Sequence, residues 1–514
     1  MLIYAIYNNN NNVDYSCSQF LFDDIKSFIM KLKTGVGYDG VHSNHLKFLS
    51  DENLTYLTDF FNMCFMHQYV PRQMMKAVVR PLIKNKFGDA NDSSNYREIM
   101  ISSNMFKLLE LCLLPIIKRH TRLSNFQFGY RSNTSTTMAT ALLKETVGRF
   151  INEGSVVYSG FLDLSKAFER VRHSLLFRKL VDANVPAFVI NILNSMFVYS
   201  SVCVDYNGKT SFEWPTLRGL RQGGILSAHL FTFYVDEILR EVNNMPYACK
   251  LGINKVNVLA YADDFVVLSP SCSGLQKILQ TLNNCFLYHG LLVNAGKTKI
   301  LTFKKSRNPP ECKATFLIGD SPLEQVHQFK YLGSVITYNL CEKHDIARLR
   351  DSFNRRVGMF YRKFHTVEQN LKFKLLNSLC MSFYGSDLWI DTRGAVKQRD
   401  EFGVSYHYAL KKVLNLPKRF SNHIVCMNLG VLVFKHFLNF NVFKFMNWLS
   451  RCVSPCFETH KMYFMKSSLF RKCIDRISSE NYGIRNILDN DFEAVVARLY
   501  YVQSNEESSL YTGL

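Results

Sequence analysis

The stretch Tyr261-Ala262-Asp263-Asp264 constrains this chain more than any other. Mostly apolar, β-prone runs flank it, Val256 to Ala260 before and Phe265 to Leu268 after. That pattern predicts strand, tight turn, strand. Two adjacent carboxylates at the tip of such a hairpin raise each other's pKa. A divalent cation relieves the repulsion, and so does solvation of a plain Asp-Asp turn. The four residues alone leave both readings open.

Charge narrows the choice of partner. The 514 residues carry 62 Lys and Arg against 42 Asp and Glu, a formal net charge of +20. Such a surplus favours a polyanion, nucleic acid before membrane, although a merely solvating role has the same composition. There is no uninterrupted apolar run of about 18 residues, so no membrane partner is expected. The 14 cysteines are scattered without paired spacing and no signal peptide is evident. Reduced thiols in an intracellular protein follow, with nucleus and cytoplasm not separated. The densest Cys/His run is Cys452, Cys456 and His460, with Cys473 beyond. It lacks a second tight pair, and chance is the better reading than zinc.

Along the chain, an Asn-rich leader (1–16) is expected to be disordered. Helices are expected from Phe20 to Leu32 and from Leu54 to Phe65, with Thr34-Gly35-Val36-Gly37-Tyr38-Asp39-Gly40 breaking between them. Ala77 to Ile83 reads as a strand, followed by Lys84, a polar turn and Asn95-Tyr96-Arg97. This β-loop-β unit can clamp a triphosphate with Lys84 and Arg97, or be a surface hairpin with solvated bases. Residues 104–120 read as a buried helix. Phe126-Gln127-Phe128-Gly129-Tyr130-Arg131 precedes a hydroxyl-rich helix start, where Arg131 suits a phosphate backbone or the cluster is an ordinary cap. Val156 to Asp163 is a strand ending in an acid, and Leu164 to Val171 is expected to turn into a helix. Gly219-Leu220-Arg221-Gln222-Gly223-Gly224 is a Gly-rich loop opening a long helix, with Leu226, Leu230, Tyr234, Ile238 and Val242 on one face. Ile300 to Phe303 and Phe329 to Ile336 read as strands. From about 341 the pattern is helical and basic, with Arg355 and Arg356 among Phe353, Phe360 and Tyr361, which suits a duplex backbone.

Acids at two strand ends, a Gly-Gln loop and basic segments on both sides are what nucleotidyl transfer requires. Two Mg²⁺ ions about 3.5–4 Å apart would bridge carboxylates and triphosphate. Hard oxygen ligands suit Mg²⁺, so Asp is the expected donor rather than His or Cys.

With these pieces in this order, the sequence resembles the reverse transcriptase of non-LTR (LINE-type) retrotransposons over roughly residues 20–340. The carriers are the Thr34–Gly40 loop, Pro81-Leu82-Ile83-Lys84 with Asn95-Tyr96-Arg97, Phe126 to Arg131, and Phe161-Leu162-Asp163-Leu164-Ser165-Lys166-Ala167-Phe168. Arg221-Gln222-Gly223, Tyr261 to Asp264, Gly290 to Asn294 with Lys297-Thr298, and Tyr331-Leu332-Gly333 follow.

The resemblance implies an α+β, right-hand polymerase: fingers, an antiparallel-sheet palm and a helical thumb, with an α-helical C-terminal extension. The implied division is a leader at 1–16, N-terminal extension and fingers at 17–154, palm at 155–338, thumb at 339–420 and a helical C-terminal region at 421–514. It implies an RNA-directed DNA polymerase with RNA template, DNA primer and deoxynucleoside triphosphates as partners, and two Mg²⁺ ions that Mn²⁺ can replace. Asp163 and Asp263 would bind both metals, with Asp264 the third acid. Phe168 would exclude a 2′-hydroxyl, Gln222 and Gly223 would line the nucleotide and template pocket, and Lys84 and Arg97 would hold the triphosphate. Lys297 would protonate pyrophosphate. Tyr331, Leu332 and Gly333 would form the hairpin that grips the primer end. Arg131, Arg355 and Arg356 remain candidates for the nucleic-acid backbone on their basic surroundings alone.

Glu98 and Met100 depart from the family's usual Arg-Pro-Ile-Ser, and Glu98 is expected to weaken the triphosphate clamp. Ala228 replaces a helix-start proline at little cost, and Ser132-Asn133 stands in place of the usual turn after Arg131. The family's usual preceding endonuclease has no room here, so the chain is expected to be a fragment of a longer element or to depend on nicks made elsewhere. The rival readings are a retired or truncated copy that only binds nucleic acid, and a telomerase-like or intron-encoded polymerase.

Overall fold

A computed structural model describes residues 20–251, 254–389 and 393–451. The Asn-rich leader, the Cys452–Cys473 run and the C-terminal region past 451 lie outside the described residues. The chain divides into two compact units, one from residues up to 124 with 164–240 and 283–293, the other from 125–163, 241–282 and 294 onward.

In the first unit, helices Phe22–Lys31 and Asp51–Met66 fall where the apolar spacing puts them. Ser50 starts the second by accepting from the Asn53 N–H at 3.3 Å, which meets one of the free donors of a first turn. Strands Lys76–Ile83 and Tyr96–Ser102 form an antiparallel hairpin, Pro81 opposite Glu98 and Leu82 opposite Arg97. A third strand, Ser201–Tyr206, runs parallel to the first. Helix Asn104–His120 is tied back to the Thr34–Gly40 loop by the Asn104 amide, which donates to Gly35 O at 3.0 Å and Val41 O at 2.7 Å.

The expected helix over Leu164–Val171 is absent. Ser165 N–H donates to Leu292 O at 2.8 Å in an extended pairing, Lys166 takes a positive φ of 48°, and only a 3-10 turn, Phe168–Arg170, precedes helix His173–Asp182. A left-handed residue interrupts the i→i−4 ladder. Helix Ile225–Asn244 starts in this unit, and its predicted face (Leu226, Leu230, Tyr234, Ile238, Val242) is buried throughout.

The second unit is built on a five-stranded sheet. Its order is Glu324–Val326, Lys299–Phe303, Val157–Asp163, Asp264–Ser269, Val258–Tyr261. Three of its four pairings are antiparallel, and at one edge Glu324–Val326 runs parallel to its neighbour. Helices Thr136–Asn152 and Phe434–Arg451 pack on it through Leu142, Val147, Phe161, Val266, Phe445 and Leu449. A separate apolar core lies among helices Lys343–Lys363, Gln369–Cys380, Val396–Val413 and Asn422–Asn428.

Phe329–Ile336, expected as one strand, is a hairpin of Gln328–Tyr331 and Ser334–Thr337. Leu332 (φ 43°) and Gly333 (φ 88°) turn it, the double positive φ of a tight two-residue hairpin turn. The α+β class is borne out. Among the described residues, ten cysteines are free thiols, and no helix is long and apolar enough to cross a membrane.

Candidate active site

The three acids meet in the second unit because of strand register. Asp264 opens its strand and pairs across the sheet with Asp163 on one side and Tyr261 on the other. Directly opposed residues share a face, with strands about 4.8 Å apart. Asp263 occupies the turn itself, after Ala262 at φ 59°. Asp264 keeps access to solvent, but the protein packed around its carboxyl, then the charges of Asp263 and Asp163, push it up to about 6. Burial, then Asp163, also raises Asp263, against the lowering effect of a backbone N–H. The carboxylates therefore share one unfavourable field.

Lys297 brings a positive charge to this field. Its Nζ lies 3.9 Å from Asp163 Oδ2 with both groups well exposed, a geometry that contributes little by itself. Asn294 places this lysine: its N–H donates to Asp163 O at 2.8 Å and its Oδ1 accepts from Lys297 N–H at 3.2 Å. Thr298 Oγ1 accepts from the Asp163 N–H at 3.3 Å.

Among the described residues, no three His, Cys, Asp or Glu side chains converge tightly enough to chelate an ion. Mg²⁺ does not need such a cage, since it is bound through one or two carboxylates completed by water and substrate phosphates. An all-oxygen, excess-negative donor set open to solvent fits a hard divalent cation.

Sequence reasoning missed what holds the acidic turn. Phe126–Gly129 lies along the edge of the sheet, Phe128 N–H donating to Ala260 O and Ala260 N–H to Phe126 O, both at 2.8 Å. Buried Gln127 reaches the turn: its Oε1 accepts from Ala262 N–H at 2.9 Å and from Gly129 N–H at 2.8 Å, and its Nε2 donates to Ala262 O at 3.4 Å. The only signal in sequence was an uncharged polar residue inside an aromatic run. Arg131 follows this segment. Its carbonyl accepts from Thr134 Oγ1 at 2.8 Å, and Ser135 caps helix Thr136–Asn152 through the Met138 N–H at 3.1 Å.

Tyr331 corrects an expectation. It is 3 % exposed and lies against Phe161, ring centroids 5.5 Å apart, so it cannot present its ring to a primer. The alternation of its strand turns it inward, leaving Leu332 and Gly333 at the tip. There Tyr384 Oη donates to Leu332 O at 2.9 Å, and a Cβ on Gly333 would come within 2.7 Å of the Tyr384 ring. The Tyr331 hydroxyl is buried with no hydrogen-bond partner, which carries a desolvation cost of about 1–3 kcal/mol. Tyr331→Phe should therefore raise stability, by about 1 kcal/mol in urea unfolding. A loss of stability would show that the hydroxyl has a partner.

The first unit carries the candidates for nucleotide binding. Lys84 and Arg97 sit at the loop end of the hairpin of Lys76–Ile83 and Tyr96–Ser102, Lys84 N–H donating to Asn95 O at 2.7 Å. A cleft of about 980 Å³ beside that hairpin is lined by Pro81, Glu98, Met100, Lys166, Glu169 and Arg218 among others, but by neither Lys84 nor Arg97. Strand alternation puts neighbours on opposite faces, so Glu98 and Arg97 point apart. Glu98 pairs with Lys166 at 3.4 Å.

Phe168 stacks on Phe231 of helix Ile225–Asn244 at 4.5 Å and 18°. Gln222 Nε2 donates to Glu169 Oε1 at 3.3 Å, its carbonyl accepts from Met100 N–H at 3.1 Å, and Gly223 takes φ 104°. The loop is anchored by groups that sequence reading left unassigned. Arg221 is buried, its guanidinium over the Phe106 ring at 4.2 Å and bonded to Met75 O, Ser102 Oγ and Ser200 Oγ. Glu110 accepts from the first amides of the long helix, Ile225 N–H at 2.9 Å and Leu226 N–H at 3.4 Å, and burial pushes its carboxyl up to about 7.

In helix Lys343–Lys363, Arg355 is exposed, while Arg356 is half-buried and donates to Ser382 O at 3.2 Å. Phe353, Phe360 and Tyr361 are buried in the helical core. The aromatics therefore do not join the bases on one nucleic-acid face. Helical spacing sends one set inward and the other out.

The family model that matches is "Reverse transcriptase (RNA-dependent DNA polymerase)", over residues 84–336. The chain is 25% identical over 347 residues to the RNA-directed DNA polymerase from mobile element jockey of Drosophila funebris, covering 65% of this chain and 37% of that protein. It is 29% identical over 276 residues to the Pol polyprotein from type-1 retrotransposable element R2 of Popillia japonica, covering 52% of this chain and 38% of that one. The chain thus spans less than two fifths of the length of these relatives. A telomerase from Candida albicans matches in structure with a TM-score of 0.40 and 11% identity, over 87% of this chain and 68% of that one, a likeness too low to bear on function. Enzymes of this family generally use divalent metal ions. With the acids in register and the motifs in order, residues 84–336 are a reverse transcriptase domain of the non-LTR retrotransposon type.

Proposed function

We propose that the chain is an RNA-directed DNA polymerase that extends a DNA 3′-end on an RNA template by two-metal-ion phosphoryl transfer. The observation that carries the reading is the register that sets Asp264 opposite Asp163 with Asp263 in the adjoining turn. Mg²⁺, with Mn²⁺ as substitute, suits these oxygen donors. Asp163 and Asp263 would hold both ions and Asp264 would lie at their edge. When bound, the ions supply the charge that activates the 3′-hydroxyl and stabilises the pyrophosphate.

The chain's own groups do the rest. Lys297, 3.9 Å from Asp163, would give a proton to the leaving pyrophosphate. Lys84 and Arg97 would hold the triphosphate, and Gln222 and Gly223 the nucleotide and template. Leu332 and Gly333 would bear on the primer end, and Arg131, Arg355 and Arg356 on the phosphate backbone. Fingers, palm and thumb would occupy residues 17–154, 155–338 and 339–420, and polynucleotide substrates would put the work inside the cell, in nucleus or cytoplasm.

Primer extension on a homopolymer RNA, with Mg²⁺ and then with EDTA, tests this. Metal-dependent DNA synthesis is expected, and RNA binding without synthesis would favour the retired copy. Phe168, stacked on Phe231 with its ring edge fixed, is the proposed sugar gate. Phe168→Val should lower the preference for deoxynucleotides by about 10–100-fold, since a lost steric contact can be refilled by a hydroxyl. An unchanged ratio of incorporation removes Phe168 from that role.

A further inference from the structure

The acidic turn has an unusual backbone. Two-residue hairpin turns with a positive φ favour Gly, Asn or Asp, yet Ala262 holds φ 59° immediately before Asp263. A strained residue persists where its surroundings over-determine it, and such positions mark functional geometry. The strand pairings on either side do not reach Ala262: they end at Tyr261 and begin at Asp264. What reaches it is one side chain. Gln127 meets both backbone polar groups of Ala262, accepting from its N–H at 2.9 Å and donating to its carbonyl at 3.4 Å.

The fit is close on the other side as well. Gln127 Oε1 also accepts from the Gly129 N–H at 2.8 Å. A Cβ on Gly129 would meet Ala262 N at 2.3 Å and its Cα at 2.9 Å, so only glycine lets this segment approach the turn. Gln127 is 0 % exposed. A buried amide in such a place is costly unless its groups are used, and here they are used on the turn.

We propose that Gln127 is a positioning residue for the metal-holding acids: its amide clamps Ala262 in the left-handed conformation that sets where Asp263 stands relative to Asp163. The proposal rests on the polymerase reading for its function but not for its geometry. Apolar substitution at 127 frees the turn to relax, and the carboxylate of Asp263 moves while the rest of the chain still folds and binds nucleic acid.

Gln127→Ala and Gln127→Glu in the full chain test it, with Mn²⁺ half-saturation measured by electron paramagnetic resonance. The complex would contain dTTP, an RNA template and a primer lacking its 3′-hydroxyl. Gln127→Ala should raise the half-saturating Mn²⁺ about tenfold and lower kcat about 10–100-fold, the scale of a small misplacement of reacting groups. Template–primer affinity should change less than about twofold. Gln127→Glu keeps an oxygen acceptor for both N–H groups and should return Mn²⁺ affinity to within about threefold of the parent. Unchanged Mn²⁺ affinity in the alanine variant, or a glutamate variant as impaired as alanine, overturns the clamp.

Hydrogen exchange of the unmutated protein covers failure to fold. Slow exchange at the Ala262 and Gly129 amides is expected, and exchange at unprotected rates overturns the proposal. If the unmutated protein shows no metal-dependent synthesis while those amides are protected, the polymerase reading fails and the clamp stands.

Discussion

Asp263→Asn should abolish primer extension while leaving RNA binding almost unchanged. The carboxylate is asked to hold a divalent charge that supplies several kcal/mol to the transition state. At about 1.4 kcal/mol per tenfold, its loss costs about 10³-fold or more in rate. RNA binding would depend instead on the basic residues proposed elsewhere in the chain, and the substitution removes none of them. Stability should move the other way. Asp263 and Asp264 are both held above the ordinary carboxylate range, burial first and then neighbouring acids. A raised folded-state pKa means that ionisation works against the fold, so a neutral isostere should stabilise the metal-free protein at neutral pH. Extension assays, filter binding and thermal unfolding in EDTA read the three effects separately. A variant that still extends, or that loses RNA binding in parallel, would remove Asp263 from the proposed role.

This opposition between stability and activity also explains why the site was legible in sequence. Two acids between strongly β-prone runs violate the local preference of a strand, and such violations concentrate at functional positions. The hairpin, the Asp163 strand and the helix face from Leu226 to Val242 follow from periodicity alone. What stayed hidden depends on distant pairing. Ser201–Tyr206 is a strand because Lys76–Val79 lies beside it in parallel, which no local pattern announces. The split of Phe329–Ile336 into a hairpin depends on a positive φ at Leu332, which only the family resemblance, not the local pattern, pointed to. Phe353 and Phe360 look like partners of the neighbouring arginines in one dimension and part company once wound on a helix. Gln127, Glu110 and Arg221 are polar residues whose purpose is visible only with the backbone atoms that they satisfy.

Asp345 is the most consequential group of this hidden kind, and Asp345→Ala should remove about 3–5 kcal/mol from the second unit. It lies in the first turn of helix Lys343–Lys363, where a carboxylate complements the helix dipole, and it is 3 % exposed. Its Oδ1 accepts from Val335 N–H at 2.9 Å and from Arg348 at 3.0 and 2.8 Å, and its Oδ2 accepts from Trp389 Nε1 at 3.0 Å. One carboxylate thus joins the returning strand of the Leu332–Gly333 hairpin, the helix and the buried Trp389. Alanine would take the acceptor from all three donors and leave the Arg348 charge without its partner, the costliest way to break a buried pair. Asp345→Asn keeps one oxygen and should cost about 1–3 kcal/mol. Function should follow the hairpin, because Val335 lies two residues beyond the turn proposed to bear on the primer. The asparagine variant should weaken primer use, as a higher KM for template–primer, before it changes the rate of nucleotide addition at saturation. Urea unfolding of both variants decides the energetic claim, and an alanine variant as stable as the parent would show that these bonds are replaced by water at no cost. Steady-state kinetics decides the functional one, since an equal fall in kcat without a change in KM would mean that Asp345 acts on the fold as a whole rather than through the hairpin.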